Sequence, residues 1–284
     1  MSLLPLQDLN DVIRHTRPYR ISGRVTRVAG LLVEGSVPGA HLGMVCKLRI
    51  PGTDISKAVP AEVVALRDDV ASLMPLGGVQ GIQSGTEIHT TNERPVVPVG
   101  MGLLGRVLDG WGSPIDRKGP IARSGILERY PLDPPPLNPL DRSLVDQPLS
   151  VGIRAIDTML TCGEGQRCAI LSGAGVGKST LLGMMCRNTE ADVTVIGLVG
   201  ERGREVKRFV NQDLGEDGLR RAVVVAATSD HAPALRVRAA RVSTAIAEYF
   251  RDQGLRVLLL MDSLSRVAMA QRELGLAVGE PPAT

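Results

Sequence analysis

Aromatic side chains are scarce: one Trp, three Tyr and two Phe in 284 residues. Platforms that stack the bases of single-stranded nucleic acid need such rings, so the sequence argues against that class of function. The net charge of +3 gives no strong field of either sign. Basic residues are dispersed, apart from modest clusters at 202–208 and 236–241 that read as solvated helix faces. Cysteine is sparse too. Cys46, Cys162, Cys168 and Cys186 form neither C-x-x-C nor a His/Cys metal spacing, and they read as reduced, mostly buried thiols of a cytosolic protein. His41 and His89 are isolated and take surface or core roles. No apolar run approaches the ~20 residues of a membrane-spanning helix. The first residues lack the basic start and long apolar stretch of a signal peptide. Leu6, Leu9 and Ile13 share one face of a short amphipathic helix, read as a packing or docking segment, with a membrane anchor as the alternative.

What is present is enough for a sizeable core. Apolar residues make up 43% of the chain, and its length suits about two domains. After an N-terminal segment, 1–18, residues 19–95 alternate short strand-like runs with Gly and Pro punctuation, which predicts a small closed β-barrel. Residues 96–284 form a second predicted domain. Within it, 96–121 is Gly-rich and turn-rich. Residues 130–140, YPLDPPPLNPL, carry too many prolines for helix or central strand and predict an extended surface connector. Strands are then expected over 193–199, 222–227 and 256–261, and helices over 203–212, 233–251 and 263–274. That alternation predicts an α/β fold with a mainly parallel sheet covered on both faces.

The stretch at 163–182, GEGQRCAILSGAGVGKSTLL, organises the rest. An apolar run at 168–171 predicts a buried strand. Gly173, Ala174, Gly175, Val176 and Gly177 follow, and Lys178, Ser179 and Thr180 open a helix. A strand, a Gly-rich loop and a helix beginning Lys-Ser make a phosphate-binding loop. Its glycines let backbone N–H groups turn inward, and the helix N-terminus adds partial positive charge. Lys178 can then reach the β- and γ-phosphates of a bound ligand, and the Ser179 hydroxyl can sit on Mg²⁺. Ser172 occupies the place of the first Gly in the usual pattern.

Three further residues complete the candidate site. Asp262 ends a buried strand and is expected to hold Mg²⁺ through its water shell, with a helix N-cap as the plainer reading. Glu201 follows another strand and can orient the attacking water. Glu205 and Arg202 are expected to shape the loop. Arg266, one turn past Asp262, is expected to contact phosphate, hold Glu201 or form a structural ion pair.

SGAGVGKST, GERGRE, DLGEDGLRRAVVVAATSD, AIAEYFRDQG and LLLMDSLSRVAMAQRELGLAVGEPPAT resemble the type III secretion ATPases of the wider rotary F-type/V-type ATPase family. LGRVLDGWGSPIDRKGPI and QPLSVGIRAIDTMLTCGEGQR fit the same family, and ATSDHAPALRVRAA is closer to its injectisome branch than to the flagellar one. The resemblance implies a RecA-like nucleotide domain behind the barrel, and Mg-dependent ATP hydrolysis that releases chaperones, unfolds effectors and powers export. It implies a homohexamer at the cytoplasmic face of the inner membrane, with stalk, stator and chaperone–effector partners and no nucleic acid. It matches Lys178 and Ser179 to the phosphate and Mg²⁺ ligands, Glu201 to the catalytic base and Asp262 to the Walker B acid. Family members continue beyond Thr284, so an arginine finger, an adenine-packing aromatic and chaperone-facing helices are expected there, and these residues alone are expected to hydrolyse ATP weakly. The rival readings are a catalytic subunit of a rotary ATP synthase, a helicase-like ring and a non-hydrolysing nucleotide-binding assembly module.

Overall fold

The computed structural model describes residues 22–90, 95–121, 128–173 and 175–282. The amphipathic segment at 1–18 and Ala174 lie outside them. The chain divides into two compact units, 1–93 and 94–284.

The first unit is a closed six-stranded barrel. Its strands are β1 (Ser22–Ala29), β2 (Leu32–Ser36), β3 (Val45–Arg49), β4 (Val59–Arg67), β5 (Val70–Pro75) and β6 (Glu87–Thr90). They close in the order β1-β2-β5-β4-β3-β6, every pair antiparallel. Alternation sends Val25, Val33, Cys46, Leu48, Val63, Leu73 and Ile88 inward. Register shifts at Val25/Arg27 and Val63/Ala65 supply the bends that closure needs.

The second unit is built on a four-stranded, all-parallel sheet. Its strands are β8 (Arg106–Leu108), β10 (Val193–Val199), β11 (Ala222–Ala227) and β12 (Val257–Asp262), in the order β12-β10-β11-β8. A separate antiparallel pair joins β7 (Val96–Val99) to β9 (Glu128–Pro131). Both faces of β10 and β11 are covered, whereas the edge strand β12 leaves Leu259 37% exposed. Val195, Val199, Val223 and Val225 face one core with Tyr249 and Phe250 of the helix Pro233–Asp252. Ile196, Leu198, Val224 and Ala226 face the other, with Met185, Phe209 and Leu214. This double burial is why β10 and β11 read as continuous apolar runs rather than alternating ones. The few aromatics are concentrated here: Tyr249 meets Phe250 at 5.2 Å and Tyr130 at 6.4 Å, both edge-on.

Among the described residues the α-helices are α1 (Arg154–Met159), α2 (Lys178–Asn188), α3 (Gly203–Arg208), α4 (Gly215–Arg220), α5 (Pro233–Asp252) and α6 (Leu264–Ala277). The connector after β9 runs extended and exposed, with one 3₁₀ turn at Pro139–Asp141.

Three expectations need correction. The helix predicted over 203–212 is α3 followed by a π-helical segment, Phe209–Leu214. The wider turn brings Phe209 and Leu214, five residues apart, into the same core. The strand predicted over 168–171 is absent. Leu171 is 93% exposed there, and the run has no ladder partner among the described residues. Four apolar residues make a buried parallel strand only when a neighbour and cover on both faces are supplied. Only two cysteines, Cys46 and Cys186, are buried, whereas Cys162 is half-buried and Cys168 exposed.

Candidate functional site

The site lies at the C-terminal edge of the parallel sheet, where open α/β sheets bind their ligands. The parallel register sets Leu198 of β10 beside Asp262 of β12, so Glu201 and Asp262 emerge together. Two backbone bonds fix the chain around Glu201. Gly200 N–H donates to Ala227 C=O at 2.6 Å, and Ser229 N–H donates to Glu201 C=O at 3.0 Å.

Opposite them, α2 begins at Lys178. Gly175 and Gly177 hold φ of 74° and 96°, left-handed values that side chains rarely adopt. A Cβ at Gly173, Gly175 or Gly177 would meet nothing within 4 Å, so the loop is open on its ligand side. Gly177 gives α2 no side-chain cap, which leaves the first N–H groups of the helix available to an anion.

A cleft of about 650 Å³ joins these elements. Ser172, Gly173, Gly175, Gly177, Lys178, Ser179, Thr180, Glu201 and Arg266 all line it. Val176 does not, and it is 69% exposed. Asp262 sits behind the cleft, 4% exposed. Its Oδ1 is held by the Lys178 ammonium at 2.5 Å.

Arg266 donates from Nε to Oε1 of Glu201 at 3.1 Å. Of the roles open to it, it holds Glu201 here. Burial is the main cause that raises the Glu201 carboxyl to about 7, followed by a hydrogen bond shared with the Glu205 carboxyl. The Arg266 charge opposes the rise, and the Asp262 and Glu205 charges add to it. The same shared bond holds Glu205 below its usual range. A carboxylate with an affinity for protons near neutrality can accept a proton from water and release it again.

Two contributors were not foreseen. Glu205 lines the cleft as well as shaping its loop. Gly200 has φ of 73°, and a Cβ there would stand 2.8 Å from Arg266 Cδ and 2.9 Å from its Cβ, so glycine lets Arg266 cross to Glu201. Its place between a strand end and an acid was the available signal.

The sequence matches the nucleotide-binding domain of the ATP synthase alpha/beta family over residues 152–284 and the family's beta-barrel domain over 25–92. Together these matches span more than half of the chain. The chain belongs to the ATP synthase alpha/beta family. It is 47% identical, over 98% of its length, to the flagellum-specific ATP synthase of Bacillus subtilis strain 168, covering 63% of that protein. It is 50% identical to the type 3 secretion system ATPase of Xanthomonas euvesicatoria, over 92% of this chain and 58% of that one. Among solved structures it resembles the assembled ATPase EscN in complex with its central stalk EscO, from the type III secretion system of enteropathogenic E. coli. The TM-score is 0.82 at 41% identity, over 92% of this chain and 62% of that one. The chain thus spans about three-fifths of the length of the curated relatives it matches. Within the ATP synthase alpha/beta family, flagellar and secretion relatives are about equally similar to it. No helix among the described residues is long and apolar enough to cross a membrane.

Proposed function

We propose that the protein binds Mg-ATP in this cleft and hydrolyses it to power protein export through a type III secretion system, with chaperone release and effector unfolding as the work done. One observation carries the reading: a glycine-opened loop with Lys178 and Ser179 faces two strand-end carboxylates, Glu201 and Asp262. The export assignment rests on similarity to relatives so named, and the injectisome branch rests on the segment at 227–240.

The donor set suits Mg²⁺, which favours hard oxygen ligands: the Ser179 hydroxyl and the Asp262 carboxylate, the latter through water. When bound, the ion would spread the charge of the phosphates. The chain's own residues do the rest. The amides of 173–180 and Lys178 bind and orient the phosphates. Glu201 takes the proton of the attacking water, and Arg266 holds Glu201 in place. Glu205 shares the Glu201 proton and, after burial, helps raise the pH at which that carboxylate is free. The barrel, 19–95, and the nucleotide domain, 96–284, are the proposed divisions of the chain. Further proposals are a homohexamer, stalk and stator proteins, chaperone–effector complexes, and a cytoplasmic location with peripheral attachment to the inner membrane. No nucleic-acid partner is proposed.

The test separates binding from chemistry in the whole protein that carries these residues. Glu201→Gln should bind Mg-ATP normally and hydrolyse it ~10²–10⁴-fold more slowly, as for loss of a general base. Normal turnover in that variant would move the role to another group.

A further inference from the structure

Cys162 and Cys168 stand with their sulfurs 3.9 Å apart, just ahead of the phosphate loop. A tight turn brings them together. Gln166 N–H donates to Gly163 C=O at 3.0 Å, the Gln166 side chain accepts from Gly163 N–H at 2.8 Å, and Gly165 takes the left-handed φ of 81°. The two arms of this turn differ. The Cys162 arm is anchored: its carbonyl accepts from Leu149 N–H at 2.7 Å, Glu164 N–H donates to Gln147 C=O at 2.8 Å, and the Cys162 side chain packs on the core around Met185. The Cys168 arm is exposed, has no strand pairing and runs directly into Ser172 and the loop glycines.

We propose that Cys162 and Cys168 are a reversible dithiol/disulfide site, oxidised by small disulfides of the glutathione class, which staples the chain entering the phosphate loop to its anchored neighbour. The separation is close to van der Waals contact, and closing it to the ~2.05 Å of a disulfide asks for about 2 Å of movement, which the unpaired Cys168 arm can supply. The chemistry balances without another reactant. The exposed Cys168 thiolate attacks oxidised glutathione, forms a mixed disulfide and releases one glutathione thiolate. The Cys162 thiolate then attacks the Cys168 sulfur, the protein disulfide forms and the second glutathione leaves. Two thiols are oxidised and one glutathione disulfide is reduced. Burial, together with the bond and charge of Cys168, raises the Cys162 thiol, which suits it to the slower resolving step. The other two thiols are excluded by their surroundings, since burial pushes Cys46 up to about 11 and Cys186 up to about 12. Disulfides of cytosolic proteins are mostly of this transient, redox-responsive kind.

The site can be read directly by mass. Arg167 lies between the two cysteines, so trypsin parts them, and a disulfide leaves peptides 155–167 and 168–178 joined. The folded protein is incubated with oxidised glutathione, alkylated, digested without reductant and analysed by mass spectrometry. The expected result is that joined pair, lost on adding dithiothreitol, with Cys46 and Cys186 alkylated only after denaturation. Cys168→Ser, a change at an exposed position, should give no protein disulfide and no glutathione adduct. Cys162→Ser should stop at a glutathione adduct on Cys168. A wild-type protein that also stops at that adduct, or that links to a second molecule through Cys168, overturns the proposal.

Discussion

The Lys178 ammonium lies 2.5 Å from Oδ1 of Asp262, so the residue expected to bind phosphate and the one expected to hold Mg²⁺ are joined to each other. The Asp262 side chain is only 5% exposed, against 31% for Lys178. The pair neutralises a buried charge at the root of the loop, and arriving nucleotide must draw Lys178 from it.

Asp262→Asn should therefore separate two effects. Without the competing carboxylate, Lys178 is freer for phosphate, and affinity for metal-free ATP should rise by about 2–10-fold, roughly 0.4–1.4 kcal/mol. The gain in affinity on adding Mg²⁺ should disappear. Titrations with and without Mg²⁺ read both; a variant that keeps the full Mg²⁺ gain removes Asp262 from the metal site.

Glu201 makes stability depend on pH. Its folded value near 7 lies above the ordinary 4.5, so between those limits the folded state holds more of the proton. The Glu201 contribution is therefore fully present below pH 4.5 and is lost as pH rises through about 7. Glu201→Gln donates to Glu205 at every pH, as protonated Glu201 does. It should match the wild type near pH 5 and melt higher near pH 8, by on the order of 1–3 kcal/mol. Thermal denaturation at the two pH values checks this, and an equal offset at both contradicts it. Turnover of the whole protein should rise as pH passes through about 7, as Glu201 loses its proton.

Gly200→Ala tests the link from backbone to base. The new Cβ would collide with Arg266 and force a left-handed φ on alanine. A cost of ~1–3 kcal/mol is expected from the backbone. ATP affinity should stay near normal while turnover falls, because Arg266 no longer holds Glu201. Loss of affinity with unchanged turnover would put Gly200 in binding instead.

Much of this was legible in the sequence for identifiable reasons. The apolar runs at β10 and β11 announce doubly buried strands, and α5 carries its own start in Pro233. Gly175, Gly177, Lys178 and Ser179 are neighbours in the chain, so their loop is a local pattern. Other features depend on tertiary context. The run at 168–171 is apolar enough for a strand, but strand formation needs a partner edge. The π-helical turn at Phe209–Leu214 follows from where the core lies. The Lys178–Asp262 pair and the Glu201–Glu205 proton depend on distances that spacing does not reveal.

The central claim is that this cleft binds nucleotide through Lys178. The most direct measurement is calorimetric titration of Mg-ATP into the wild-type chain and into Lys178→Ala, with circular dichroism to establish that both are folded. Loss of charge-assisted hydrogen bonds worth ~1.5–3 kcal/mol predicts an affinity at least ~10-fold weaker in the variant. Equal affinity in two folded proteins would contradict the account.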